Sequence, residues 1–235
     1  MHLCAFIFDL DGVILDSFRE GLRRIRTICA IHEIPFDRTT RLRLTELWGL
    51  PGIELLMQGL TLSERNFAED LYREWERIDK SDPPGLIIGA RETLIWLRQN
   101  GFRKAVLTSR NRKNARQMLQ RHDIIREFAL IITKEDVHHP KPDPRALRPT
   151  LEMFEERNGI KPSECVFVGD TLTDVACGVA AGLTTIVVQT GPYLLRHAKS
   201  VNELPIPLGN VLGSIDEIPG WVEENCENSL KIGSM

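Results

Sequence analysis

Apolar residues change their spacing twice along this 235-residue chain, near residue 16 and again near residue 84. Residues 3–9 form a short continuous apolar run, the pattern of a strand buried on both faces. Over 16–83 the period becomes helical. Phe18, Leu22, Ile25 and Cys29 recur at i, i+4, i+7 and i+11, and Phe67, Leu71, Trp75 and Ile78 make a second stripe. Between them Thr61-Leu62-Ser63-Glu64 reads as a capping box, with Thr61 as N-cap and Glu64 reaching back to it. Pro83-Pro84-Gly85 closes the stretch as a turn or linker.

From residue 86 the periods alternate. Helices are predicted over 91–100, 112–122, 144–158 and 171–181, with Gly101 and Gly159 as stops. Strands are predicted over 105–108, 129–133, 165–169 and 184–189. A short strand and a helix are expected within 211–224, then a loose tail over 225–235. The alternation points to an α/β fold, a doubly wound parallel sheet with helices on both faces. Residues 1–15 and 84–235 then form the core. Residues 16–83 form an all-helical insertion, too long for an ordinary loop. The insertion is expected over the C-terminal end of the first strand, where such sheets bind ligands.

Composition narrows the function classes. A net charge of −3 makes no whole-chain case for nucleic acid. No apolar run nears the ~20 residues of a membrane helix. The N-terminal patch lacks a preceding basic residue and stops at Asp9, unlike a signal peptide. Five scattered cysteines without a CxxC spacing read as reduced thiols of a cytosolic protein. Oligomeric state is left open.

The chemistry concentrates where apolar runs end. "FIFDLDGVILDS" at 6–17 places Asp9 and Asp11 two apart, on one side of an extended chain, with Gly12 allowing a sharp turn. Two such carboxylates repel unless a cation, a proton or divided roles relieve them. Asp-x-Asp-Gly is also a turn motif or the start of a calcium loop. Glu20 stands twelfth from Asp9, but Ile14 and Leu15 replace the oxygen ligands between. "CVFVGDTLTDVACG" at 165–178 ends a second strand in Asp170, with Asp174 one helical turn on. Three or four hard carboxylates with no His or Cys cluster favour Mg²⁺ over Zn²⁺. Thr108 and Ser109 end another strand, and Lys141 lies in a loop stiffened by prolines.

The order strand–DxDG, strand–Thr, loop–Lys-Pro, strand–GDxxxD resembles the haloacid dehalogenase superfamily of phosphohydrolases. The helical insertion resembles the subgroup of phosphoglycolate phosphatase and β-phosphoglucomutase. The resemblance implies a Rossmann-like core with a helical cap, and a small phosphorylated metabolite as partner. It implies Asp9 as nucleophile and Asp11 as general acid and base. It implies Mg²⁺ held by Asp9, the Asp11 carbonyl and Asp170. Thr108, Ser109 and Lys141 would hold the phosphoryl oxygens. Asp174 would orient a metal-bound water or hydrogen-bond with Lys141. The second aspartate argues against dehalogenation. The absence of lysine between Ser17 and Asp79 disfavours phosphonate cleavage. A Mg²⁺-dependent phosphatase leads; a phosphosugar mutase and a non-catalytic binding protein on the same fold remain alternatives.

Other residues carry two readings each. Arg110 could touch substrate or pair with a cap carboxylate. Arg19, Arg23 and Arg26 fit a solvated helix face better than an anion-attracting one. Residues 18–50 carry seven Arg against four acids, and 51–83 four bases against eight acids, so the two halves could pair. Trp48, within "ELWGLPGIELL" at 46–56, reads as an aromatic substrate contact or as core packing. His138 and His139 have no partner cluster and read as structural.

Overall fold

The computed structural model describes residues 2–48, 50–61, 63–191 and 205–226. Six parallel strands form one sheet in the order β3-β2-β1-β4-β5-β6. They are β1 (Ala5–Phe8), β2 (Arg103–Leu107), β3 (Leu130–Ile132), β4 (Cys165–Gly169), β5 (Thr184–Val188) and β6 (Val211–Leu212). Helices α1 (Ser17–Ile31), α2 (Arg38–Glu46), α3 (Gly52–Gly59) and α4 (Ala68–Ser81) all lie between β1 and β2 in sequence. Helices α5 (Ala90–Gln99), α6 (Arg112–Arg121), α7 (Arg148–Asn158), α8 (Leu172–Ala180) and α9 (Ile218–Asn225) accompany the sheet. Among the described residues no helix is long and apolar enough to cross a membrane.

Burial on both faces explains the continuous apolar runs. Along β1, Phe6 and Phe8 enter one cluster with residues of α5, α6 and α9. Ala5 and Ile7 enter the opposite one with Phe154 of α7 and Cys177 of α8. Side chains alternate along a strand, and neither face of this sheet meets water. Helices α1–α4 pack around a separate apolar cluster that includes Ile25, Ile28, Leu44, Leu56 and Leu71.

The elements depart from expectation at four places. The helix expected over 144–158 is a 3-10 turn, Pro144–Ala146, followed by α7. Asp143 caps that turn by accepting from the Arg145 amide at 2.9 Å. Pro149 has no N–H for an unbroken helix and is accommodated in the first turn of a new one. The Thr61–Glu64 box forms only its backward half, Thr61 N–H to Glu64 Oε2 at 2.8 Å. A 3-10 turn, Arg65–Phe67, follows and α4 starts at Ala68, which throws Phe67 off the buried stripe to 41% exposure. At the C-terminus, Asn225 ends α9 and Cys226 is buried, so these two are not tail; the rest of the loose tail expected over 225–235 lies outside the described residues.

Candidate active site

The sheet reverses direction around β1: the chain adds β2 and β3 on one side and β4 to β6 on the other. That is where an open α/β sheet leaves a crevice beyond its strand ends. Register brings the polar ends together, because Phe8 pairs with Val106 and with Val168. Asp9 therefore leaves β1 beside Thr108 from β2 and Asp170 from β4. All three are buried, at 7%, 2% and 1% exposure.

Asp9, Asp170 and Asp174 each offer a carboxylate oxygen within 4.8 Å of the others. They are not equivalent. Asp174 is fully engaged: Oδ1 accepts from Lys141 Nζ at 2.6 Å, and Oδ2 accepts from the Thr171 hydroxyl at 2.6 Å in the capping box of α8. Lys141 Nζ also lies 3.1 Å from Asp9 Oδ1. Asp170 is the opposite case. Both its carboxylate oxygens are buried without a hydrogen-bond partner. A Cβ at Gly12, where φ is +77°, would fall 2.1 Å from Asp170 Oδ2, and one at Gly191 only 1.7 Å from it. The backbone is thus cut back on two sides of an orphaned carboxylate.

Electrostatics agree with that geometry. Burial pushes the Asp9 carboxyl up to about 7; Lys141 pulls it down, while Asp174 and Asp11 push it up. Asp170 is raised well above the carboxylate range by burial and then by Asp174 and Asp9. Burial opposes the Lys141 charge, but Asp174 and Asp9 outweigh it and hold the ammonium well above the usual lysine value. Three buried carboxylates share one lysine, which sits between Asp9 and Asp174 and leaves Asp170 uncompensated, so the cluster favours a further positive charge beside Asp170. The donors are hard oxygens, so a site for Mg²⁺ fits Asp9 and Asp170 better than Asp174, whose oxygens are taken.

Asp11 turns away from this group toward Arg110. Arg110 Nε donates to Oδ2 at 2.7 Å and to Oδ1 at 3.0 Å, and its NH2 group to Oδ1 at 2.7 Å. Burial would raise the Asp11 carboxyl, but Arg110's charge and hydrogen bonds hold it below the usual range. Arg110 also donates from NH1 to Asp79 of α4 at 3.1 Å. Asp79 in turn pairs with the buried Arg24 of α1. Asp79 and Arg24 are outside the expected set; their sequence signals were the opposite charge of the two halves of 18–83 and the reading of Arg110 as partner to a carboxylate of that insertion, which Asp79 turns out to be. Thr108 accepts at its Oγ from the Arg110 amide at 3.2 Å, and Ser109 lines the cavity. Arg19, Arg23 and Arg26 are exposed, as are His138 and His139. Trp48 packs against Phe18, as its core reading expects, and also lines the cavity.

A cavity of about 580 Å³ lies over the strand ends. Its floor includes Asp9, Asp11, Ser109, Arg110 and Asp170, and its roof comes from α3, α4 and the α2–α3 connection.

Known proteins share the sequence pattern and the fold. Residues 6–188 match the model of the family described as haloacid dehalogenase-like hydrolase. A phosphoglycolate phosphatase of Nitrosospira multiformis is 28% identical over 85% of this chain and 88% of its own. A phosphorylated carbohydrates phosphatase of Thermotoga maritima is 26% identical over 90% of this chain and 99% of its own. Among solved structures, a haloacid dehalogenase-like family protein of Streptococcus pneumoniae shares the fold with a TM-score of 0.72 at 17% identity, covering 94% of this chain and 98% of that one. Both curated relatives are named phosphatases; the family match spans the strand that carries Asp9 through the strand that follows Asp174, and the chain belongs to the haloacid dehalogenase-like hydrolases.

Proposed function

We propose that the protein is a Mg²⁺-dependent phosphomonoesterase for a small phosphorylated metabolite, working through an aspartyl-phosphate on Asp9, with residues 16–83 as a cap over the site. The observation that carries this reading is the orphaned Asp170 carboxylate beside Asp9. That pair is built for a hard cation, which when bound supplies positive charge against the phosphoryl oxygens.

The chain's own residues account for the rest. Asp9 and Asp170, with the Asp11 carbonyl, would hold the cation. The Asp9 carboxylate attacks phosphorus and the alcohol departs with a proton from Asp11. Asp11 then takes a proton from water, whose oxygen attacks the phosphorus and frees Asp9. Thr108, Ser109 and Lys141 meet the phosphoryl oxygens and stabilise the charge that develops on them. Asp174 is a positioning residue, fixing Lys141 Nζ from 2.6 Å. Phosphoglycolate, named for several relatives, belongs first in the substrate panel.

The test is phosphate release from a panel of phosphomonoesters with Mg²⁺ and with EDTA. We expect metal-dependent release that Asp9→Asn abolishes while its circular dichroism and melting stay native-like. Turnover persisting in purified, folded Asp9→Asn would overturn the mechanism.

A further inference from the structure

The roof of the cavity bears on the leaving group. At about 580 Å³ the space falls in the range that encloses whole ligands, roughly 300–1,000 Å³. Phosphoglycolate, with two carbons beyond its phosphate, would leave much of it empty. The roof carries an apolar patch, Trp48, Leu50, Ile53, Leu55 and Trp75, beside the polar Tyr72, Glu76 and Asp79. Its aromatic part is held in place. Trp48 stands edge-on to Phe18, ring centroids 5.2 Å apart at 74°, and lies 5.9 Å from Trp75. Helix α1 is cut back to seat it, since a Cβ at Gly21 would fall 2.4 Å from the Trp48 ring. Both tryptophans are only half-buried and line the cavity.

Charge points the same way. Six acids line the space against two bases, Arg110 and Lys134. Arg110 is already bound to Asp11 and Asp79. Lys134 is exposed at the rim next to Glu135. Even with a divalent cation held by Asp9 and Asp170, a carboxylate on the substrate beyond its phosphate would meet Glu76, which has no cationic partner among the described residues, and Asp11 and Asp79, whose cations Arg110 and Arg24 are already engaged. Glu76 adds a polar anchor. Its Oε1 accepts from Tyr72 at 3.2 Å, Asn111 at 3.3 Å and Asn114 at 3.1 Å. No described residue donates to its Oε2, which is free to accept from a hydroxyl or amine.

We infer that this site, given the phosphatase reading above, takes the phosphate ester of an uncharged alcohol that bears an aromatic ring and a hydrogen-bond donor, a nucleoside-like class, and rejects small carboxylate-bearing alcohols. The ring lies against Trp48 and Trp75, and the donor meets Glu76.

The test is a matched series on the full chain with Mg²⁺: phosphoglycolate, propyl phosphate, 2-phenylethyl phosphate and a nucleoside 5′-monophosphate. All four release alkyl alcohols, so differences in kcat/KM report mainly recognition. The phenylethyl ester should exceed the propyl ester by about tenfold, the order expected of ring stacking plus apolar burial. The nucleotide should also exceed the propyl ester, and phosphoglycolate should fall below it. Trp48→Ala should bring the phenylethyl-to-propyl ratio toward one; a ratio cancels any loss of folded fraction. Phosphoglycolate at or above the aromatic esters overturns the inference and leaves the phosphatase reading standing. A ratio unchanged in Trp48→Ala overturns the role of the aromatic wall. No release from any of the four overturns the phosphatase reading and the inference with it.

Discussion

At the scale of residues, the two aspartates of the first motif face different neighbours. Asp9 is packed among carboxylates with Lys141, whereas Asp11 is held by Arg110. Without metal these neighbours set the proton affinities opposite to the proposed roles, Asp9 pushed up and Asp11 held down; a cation at Asp9 would keep it ionised for attack, and Asp11 would gain its proton only on turning from Arg110 to the leaving oxygen. Asp11→Asn should therefore slow alkyl phosphates more than aryl phosphates, because a phenolate needs less proton help to leave. Steady-state rates on one alkyl and one aryl ester check this; equal losses would remove Asp11 from the acid role. Asp11 must part from Arg110, or share it, when it delivers a proton, so the three hydrogen bonds between them describe a resting arrangement.

At the scale of elements, α4 meets the core through polar groups. Glu76 reaches Asn111 and Asn114, Asp79 reaches Arg110, and the Ser81 carbonyl accepts from Arg121 at 3.1 Å. The face of α4 toward α1 carries the Asp79–Arg24 pair, and Arg24 is 3% exposed. Removing one partner of a buried pair strands the other charge at a typical cost of ~3–5 kcal/mol. Asp79→Ala should cost about 3 kcal/mol in urea unfolding, at the low end because Arg24 keeps Glu20 and the Asp82 carbonyl. A loss below ~1 kcal/mol would mean the pair is no more than a surface contact.

At the scale of the whole molecule, the carboxylate cluster draws on β1, β4 and the loop after β5, where Gly191 packs on Asp170. A cation there ties distant segments together, so Mg²⁺ should raise Tm, by the equivalent of about 2.7 kcal/mol at a hundred times its Kd. The gain should depend on pH in a set direction. Burial pushes Asp9 up to about 7, so between the ordinary carboxylate range and about 7 the metal-free folded form keeps a proton that the unfolded chain has lost. Raising pH through that window destabilises the metal-free protein. A bound cation replaces the proton, so Mg²⁺ should stabilise most above pH 7 and progressively less below it. Thermal melts at several pH values, with Mg²⁺ or EDTA, check this; a Mg²⁺ effect independent of pH, or retained in Asp170→Asn, would contradict the site.

The parallel sheet was legible in the chain alone, and so was the position of Asp9, Thr108 and Asp170 at the ends of buried strands, which the register then brings together. Strands buried on both faces are written as continuous apolar runs, and polar residues at the ends of such runs stand out. Asp79, Arg24, Glu76 and Gly191 were not legible. They are ordinary helix and loop residues whose partners lie far off in sequence, 31 residues for Asp79 and Arg110 and 55 for Arg24 and Asp79. Helix ends were misread where short-range signals competed, as with Pro149 and the half-formed box at Thr61. Sequence by itself determined the type of sheet and which polar residues stand at its strand ends, because both follow from local period and residue type. Tertiary structure alone decided which carboxylate is left without a partner, which arginine is already paired and what wall faces the reaction, because each depends on distance between segments that the chain order does not encode.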